Sequence, residues 1–114
     1  DVWSSRGLGD VYKRQERDYI YELAVKSYEN GASLLVIEGV PEILADKITK
    51  DVKIPTIGIG AGGKTDGQIL VTEDMLGITP LPRPSFVKSY TNIRDLAKKA
   101  AMEFKKDVKK KKFP

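Results

Sequence analysis

Two short, almost uninterrupted apolar runs constrain this chain more than any other feature: Ser33-Leu-Leu-Val-Ile-Glu38 and Ile54-Pro-Thr-Ile-Gly-Ile59. Strands apolar at nearly every position are buried on both faces, an arrangement that belongs to parallel sheets covered by helices. The stretch between the runs meets that requirement. Pro41 sits where a first helical turn tolerates it, and Ile43, Leu44, Ala45 and Ile48 recur at helical spacing as far as Lys50. Upstream, Ile20, Leu23, Ala24, Ser27 and Tyr28 predict a helix over residues 18–30, with Asn30-Gly31 as its stop signal. Downstream, residues 60–67 form a glycine-rich loop and residues 68–71 a third strand. The order helix, strand, helix, strand, loop, strand implies βα crossover units and a parallel sheet, an α/β fold.

The remainder is less regular until its end. Asp74-Met75-Leu76-Gly77 offers one turn of helix at most, and Pro80, Pro82 and Pro84 forbid regular structure around them. From Ile93, apolar residues at Leu96, Ala97, Ala100, Ala101, Phe104 and Val108 make one stripe of a long helix whose other face is mostly lysine. That stripe is expected to pack on another surface. Three strands cannot close a barrel, and a sheet so small leaves an edge and much of one face uncovered. The chain of 114 residues therefore reads as at most one domain and as the end of something larger.

Composition removes whole classes of chemistry. With no Cys and no His, disulfide scaffolds, thiolate or imidazole metal sites, Ser-His-Asp triads and a histidine base are all excluded. Carboxylates, Lys, Tyr, backbone amides and oxygen-bound metals are left. The net charge of +4 arises in the tail, where nine basic residues between Arg94 and Lys112 face three acidic ones; residues 16–93 are net acidic. No stretch approaches the roughly 20 apolar residues of a membrane span, and no signal peptide is visible, so the expected compartment is the cytoplasm.

Residues 1–15 differ in pattern from the rest of the chain, showing no sustained period of 2 or 3.6. The run from Ser5 to Gln15, SRGLGDVYKRQ, resembles one reading frame of a transposon-type sequencing-library adaptor. Residues 1–15 are accordingly expected to be a non-native, disordered segment, and Trp3, Arg6 and Lys13 to carry no function. Residues 16–114 then make up the native part.

Glu38 is the sharpest chemical signal. It ends an apolar run and precedes Gly39-Val40-Pro41, which puts a carboxylate at the C-terminal end of a parallel strand, where α/β barrels place catalytic groups. Partial desolvation there would favour proton uptake and suit the side chain to act as a general base. The competing account is a solvated strand-end residue capping the next helix. Gly58-Ile59-Gly60-Ala61-Gly62-Gly63 follows a strand and invites a phosphate-binding reading. It lacks the Lys-Ser/Thr ending of a Walker loop and no clear helix starts at Gly63, so a tight strand-to-loop passage explains it better. Asp66, Glu73 and Asp74 could offer oxygen ligands to a divalent metal, but their spacing fits no metal loop and surface acidity is favoured. The lysine helix could bind nucleic acid or an anionic membrane. With only Phe104 and Phe113 as stacking residues, it reads rather as a solvated helix face.

With those residues in view, the segment from about Tyr19 to Pro114 resembles the C-terminal part of the 3-methyl-2-oxobutanoate (ketopantoate) hydroxymethyltransferase family. The matching stretches are Leu34-Leu-Val-Ile-Glu-Gly-Val-Pro41, Ile54-Pro-Thr-Ile-Gly-Ile-Gly-Ala-Gly62, Thr65-Asp-Gly-Gln-Ile-Leu-Val71, Asp74-Met-Leu-Gly77, Phe86-Val-Lys88 and Phe113-Pro114. The resemblance implies about three βα units of a (β/α)8 TIM barrel of the phosphoenolpyruvate mutase and isocitrate lyase type. It implies transfer of a hydroxymethyl group from 5,10-methylenetetrahydrofolate to 3-methyl-2-oxobutanoate, giving 2-dehydropantoate for pantothenate and coenzyme A synthesis. The position of the family's general base is Glu38. Mg2+ is implied as cofactor, with its ligands and the main keto-acid contacts on earlier strands, so no residue of this chain is credited with the metal and the chain alone is expected to be inactive. The implied partners are the keto acid, folate and, in the full-length protein, further copies in a homo-oligomer; neither nucleic acid nor membrane is implied. Glu73, where many members have His, and Lys109 to Lys112, in place of a Lys-Ser-Gly ending, depart from the family pattern.

Two other readings make different predictions. A phosphate-binding barrel using the GIGAGG loop would bind phosphate or sugar phosphate rather than a keto acid. A nucleic-acid or membrane module would show salt-sensitive binding that disappears when Lys105, Lys106 and Lys109 to Lys112 become Gln.

Overall fold

A computed structural model describes residues 8–113, which fall into two compact units divided after Ile69. In the first unit, helix α1 spans Leu8–Glu29, strand β1 Leu35–Glu38, helix α2 Glu42–Asp51, strand β2 Thr56–Ile59 and strand β3 Gly67–Gln68. The three strands pair in parallel in the order β1-β2-β3, with Leu35 opposite Thr56, Glu38 opposite Ile59, and Gly58 opposite Gln68. The expected parallel α/β arrangement is thus present, although the strands are shorter than the apolar runs that announce them.

One face of this sheet carries the core. Ile37, Val40, Leu44, Ala45, Ile48, Val52 and Ala61 pack together with Ala24 of α1, and Ile20, Tyr21 and Tyr28 lie against them. Leu23 and Ser27, which share the predicted stripe of α1, are exposed; the Ser27 hydroxyl instead donates to the Leu23 carbonyl at 2.7 Å. Tyr21 joins the two helices: its hydroxyl donates to Asp51 and the Lys47 ammonium lies 4.4 Å from its ring centre. The Asp51 carboxylate, with help from burial, holds the Tyr21 phenol above its ordinary proton affinity.

For β1 the opposite face contradicts the expectation of a strand buried on both sides, whereas β2 has Thr56, Gly58 and Ile59 buried and Ile57 half-buried. Ile37 is buried while its neighbour Val36 is 57% exposed, and Leu34 is exposed as well. Period-2 alternation explains the contrast, because successive side chains of a strand point to opposite faces and α1 and α2 both lie on one of them.

The third strand is tied on by Asp66. Its carboxylate accepts from the Thr56 amide at 2.9 Å and from the Thr56 hydroxyl at 3.3 Å, and its own amide donates back to that hydroxyl. Thr56 is fully buried, and its hydroxyl also meets Thr49 of α2 at 2.8 Å. These bonds satisfy a polar group that would otherwise be costly to bury. They also bring β3 to its pairing position at Gly67, one residue earlier than expected.

Residues 1–7 lie outside the described residues, but the disorder expected across the rest of 1–15 does not hold: α1 is helical from Leu8. Asp10, Val11, Tyr12, Lys13, Arg14 and Gln15 contain no Gly or Pro, and extending an existing helix costs far less than starting one.

The second unit contains helix α3, Thr72–Met75, and helix α4, Ile93–Lys110. The proline-rich stretch between them is irregular, as expected, and is held to α3 by backbone bonds from Tyr90 to Met75 (2.8 Å) and from Ile93 to Leu76 (3.0 Å). At the N-terminus of α4 the Asn92 side chain accepts from the Asp95 amide at 3.3 Å. At its other end Lys111 adopts the left-handed conformation that closes a helix. No residue of α4 is buried, and the apolar stripe expected to pack is open among the described residues, with Phe104 65% exposed.

Gly77 follows α3 at φ 70°, and a Cβ there would lie 2.3 Å from the Thr91 carbonyl oxygen. Gly77→Ala is expected to destabilise this unit by at least about 1–2 kcal/mol from the left-handed backbone alone, before the clash is counted. A lowered denaturant midpoint, followed by the helical circular dichroism signal, checks this.

Candidate active site at the strand ends

The C-terminal ends of β1 and β2 meet at Glu38 and Ile59. The Gly39 amide donates to the Ile59 carbonyl at 2.9 Å, so the connection leaving β1 is bonded to the last residue of β2. Glu38 shares its sheet face with Ile59 and, by the same alternation, with exposed Val36. On this face Val36 and Glu38 are exposed while Ile59 is buried.

Glu38 is exposed, and its carboxylate makes no hydrogen bond or ion pair among the described residues. The partial desolvation expected from the sequence is therefore not provided by these residues, since the side chain is exposed. The carboxylate is free for chemistry, with an unobstructed approach. It also lines a groove of about 270 Å³ between β1 and the α1 residues Ile20, Leu23, Ala24 and Ser27.

The glycine loop differs from a phosphate cradle. The Gly63 amide, which an anion site would need, already donates to the Glu42 carboxylate at 2.8 Å, and the Gln68 side chain donates to the Gly62 carbonyl at 2.8 Å. Gly62 has φ 80°, and a Cβ on it would fall 2.4 Å from the Glu42 carboxylate. The loop is thus a tight passage packed against an acid of the chain itself, which agrees with the backbone reading of its glycines. Sequence reasoning does not single out Glu42 or Gln68. The only available signal is an acidic residue in the first turn of a helix, which ordinarily reports no more than a favourable interaction with the helix dipole.

The three acidic metal candidates do not gather. The Asp66 carboxylate is engaged with Thr56, the Asp74 carboxylate accepts from the Thr79 hydroxyl at 2.6 Å, and the Glu73 carbonyl accepts from the Ile78 amide at 2.8 Å. Among the described residues no three Asp or Glu side chains are grouped to hold a cation. No helix there is long and apolar enough to cross a membrane. The lysine face of α4 and its apolar stripe are both solvent-exposed.

The sequence profile of the ketopantoate hydroxymethyltransferase family matches residues 8–114, starting inside the segment read as adaptor-derived. The chain is 48% identical over 99 residues to 3-methyl-2-oxobutanoate hydroxymethyltransferase of Hyphomonas neptunium, covering 87% of this chain and 36% of that protein. It is 45% identical over 102 residues to the enzyme of the same name from Thermosipho melanesiensis, covering 90% of this chain and 39% of that protein. For the Helicobacter pylori strain Shi470 protein of that name the identity is 45% over 100 residues, with 88% and 37% covered. The chain therefore spans well under half the length of these curated relatives.

Proposed function

The chain belongs to the ketopantoate hydroxymethyltransferase family, and from that premise we propose that it carries the general base, Glu38, of a full-length hydroxymethyltransferase of pantothenate biosynthesis. In this reading the protein transfers a hydroxymethyl group from 5,10-methylenetetrahydrofolate to 3-methyl-2-oxobutanoate, giving 2-dehydropantoate. The observation that carries it is the position of Glu38, an exposed carboxylate, unengaged among the described residues, at the C-terminal end of a parallel strand. A carboxylate there can take the proton from the carbon next to the keto group, leaving that carbon to attack the one-carbon unit.

The chain alone is inactive in this reading, since its one catalytic carboxylate faces solvent and its sheet has, among the described residues, three strands where the family barrel has eight. The acidic residues described above do not fit a Mg2+ site, so no step is assigned to a metal held by this chain; its ligands belong to the segment that precedes these strands in the family barrel. Residues 1–15 remain, on the strength of the SRGLGDVYKRQ match, adaptor-derived rather than part of that barrel. The full-length protein works as a homo-oligomer in the cytoplasm.

The test is incubation of the full-length protein carrying this chain with 3-methyl-2-oxobutanoate and 5,10-methylenetetrahydrofolate. Formation of 2-dehydropantoate that stops on chelation of Mg2+ is expected. Affinity for sugar phosphates without turnover of the keto acid would replace this reading with the phosphate-binding one.

A further inference from the structure

The Gly62 carbonyl and the Gly63 amide belong to one peptide group, and both of its polar ends are held by side chains. Gln68, at the end of β3, donates to the carbonyl at 2.8 Å, and Glu42, in the first turn of α2, accepts from the amide at 2.8 Å. The same Glu42 side chain fills the space a Cβ on Gly62 would need. A further bond, from the Gly39 amide to the Ile59 carbonyl, ties the segment between Glu38 and Glu42 to the last residue before the loop. Residues 39–42 and 59–63 thus form a closed ring, joined at one end beside Glu38 and at the other by Glu42, with Ala61 fully buried between the two joins.

From this ring we infer that Glu42 is a positioning residue for the proposed reaction: it fixes the Gly62–Gly63 peptide and, through the ring, the strand end from which Glu38 works. The inference rests on Glu38 being the base. Glu42 itself faces the loop amide and touches no reacting atom. Three residues separate it from Glu38 along the chain, and a hydrogen bond to an ionised acceptor is among the stronger ones available to hold such a turn. Small displacements of a catalytic group lower rates steeply, so the ring matters more to the chemical step than to substrate affinity.

Two measurements test this, on variants Glu42→Ala and Glu42→Gln. In the 114-residue chain, hydrogen exchange at the Gly63 amide is expected to speed up roughly tenfold or more in Glu42→Ala. It should stay near the parent rate in Glu42→Gln, whose side-chain oxygen still accepts. In the full-length protein carrying this chain, Glu42→Ala is expected to lower kcat for keto-acid proton exchange roughly 10- to 100-fold with KM little changed, and Glu42→Gln to restore most of it. Unchanged Gly63 exchange in Glu42→Ala overturns the contact. Faster Gly63 exchange with unchanged kcat overturns the positioning role. If Glu42→Ala fails to fold, Gln68→Ala releases the other end of the same peptide, and full kcat there counts equally against the inference. Failure of the base assignment reads out separately, as proton exchange retained when Glu38 itself is replaced.

Discussion

Glu38→Gln in the full-length protein carrying this chain is expected to slow proton exchange between 3-methyl-2-oxobutanoate and solvent by roughly 10²- to 10⁴-fold, the span ordinarily lost with a general base. The substitution keeps the size and shape of the side chain. It leaves the backbone bond from Gly39 to Ile59 and the pairing of β1 with β2 untouched, and no side-chain partner is lost because the Glu38 carboxylate has none among the described residues. Folding and keto-acid binding should therefore be nearly unaffected, and the loss should appear in the chemical step. Deuterium incorporation into the keto acid in heavy water, followed by proton resonance without the folate donor, isolates that step. Full exchange in the variant would remove Glu38 from the mechanism while leaving the family assignment in place.

Ile48→Ala is expected to have the largest effect on stability. Ile48 is fully buried at the centre of the cluster formed by α1, α2 and β1, and truncating a buried Ile costs about 2–5 kcal/mol, of which the residual cavity is a part. Against a total stability of about 5–15 kcal/mol for an ordinary domain, such a loss is a large fraction. Ile43→Ala, five residues away on the same helix, provides the contrast. Ile43 is 84% exposed, so its truncation should move the urea midpoint of the 114-residue chain very little. Equal shifts for the two variants would mean that the packing of α2 is not as described.

The same pair shows what is legible in the sequence. Ile43, Leu44, Ala45 and Ile48 all satisfy a helical period, and that period locates α2 correctly at Glu42–Asp51. Periodicity marks an arc of the helix and does not say how wide a face the neighbouring elements cover, so Ile43 falls inside the arc and outside the core. Leu23 and Ser27 of α1 share its position for the same reason. The parallel sheet, the strand-end position of Glu38 and the passage-like character of the glycine loop can all be read from local pattern. The bond between Glu42 and Gly63 spans 21 positions and that between Asp66 and Thr56 spans ten, and neither leaves a trace in residue spacing. Asp66 accordingly has the look of a possible ligand in the sequence, whereas its carboxylate secures a strand. The exposure of Glu38 is hidden for another reason: an apolar run announces burial, and β1 meets that demand with Ile37 on one face only.

β1 is four residues long and has a strand neighbour on one side only among the described residues. An unpaired strand edge is a template on which another chain can grow, and shortness and terminal charge are two ways in which proteins blunt it. Both are present here. An intruding copy of β1 laid parallel and in register would gain only a handful of main-chain bonds and would set its own Glu38 beside that of its host, where like charges repel. In the barrel proposed above, this edge would be covered by the strand that precedes β1, so the charge at Glu38 would guard the edge only in the isolated chain, and a neutral substitute such as Gln would remove that guard there together with the base.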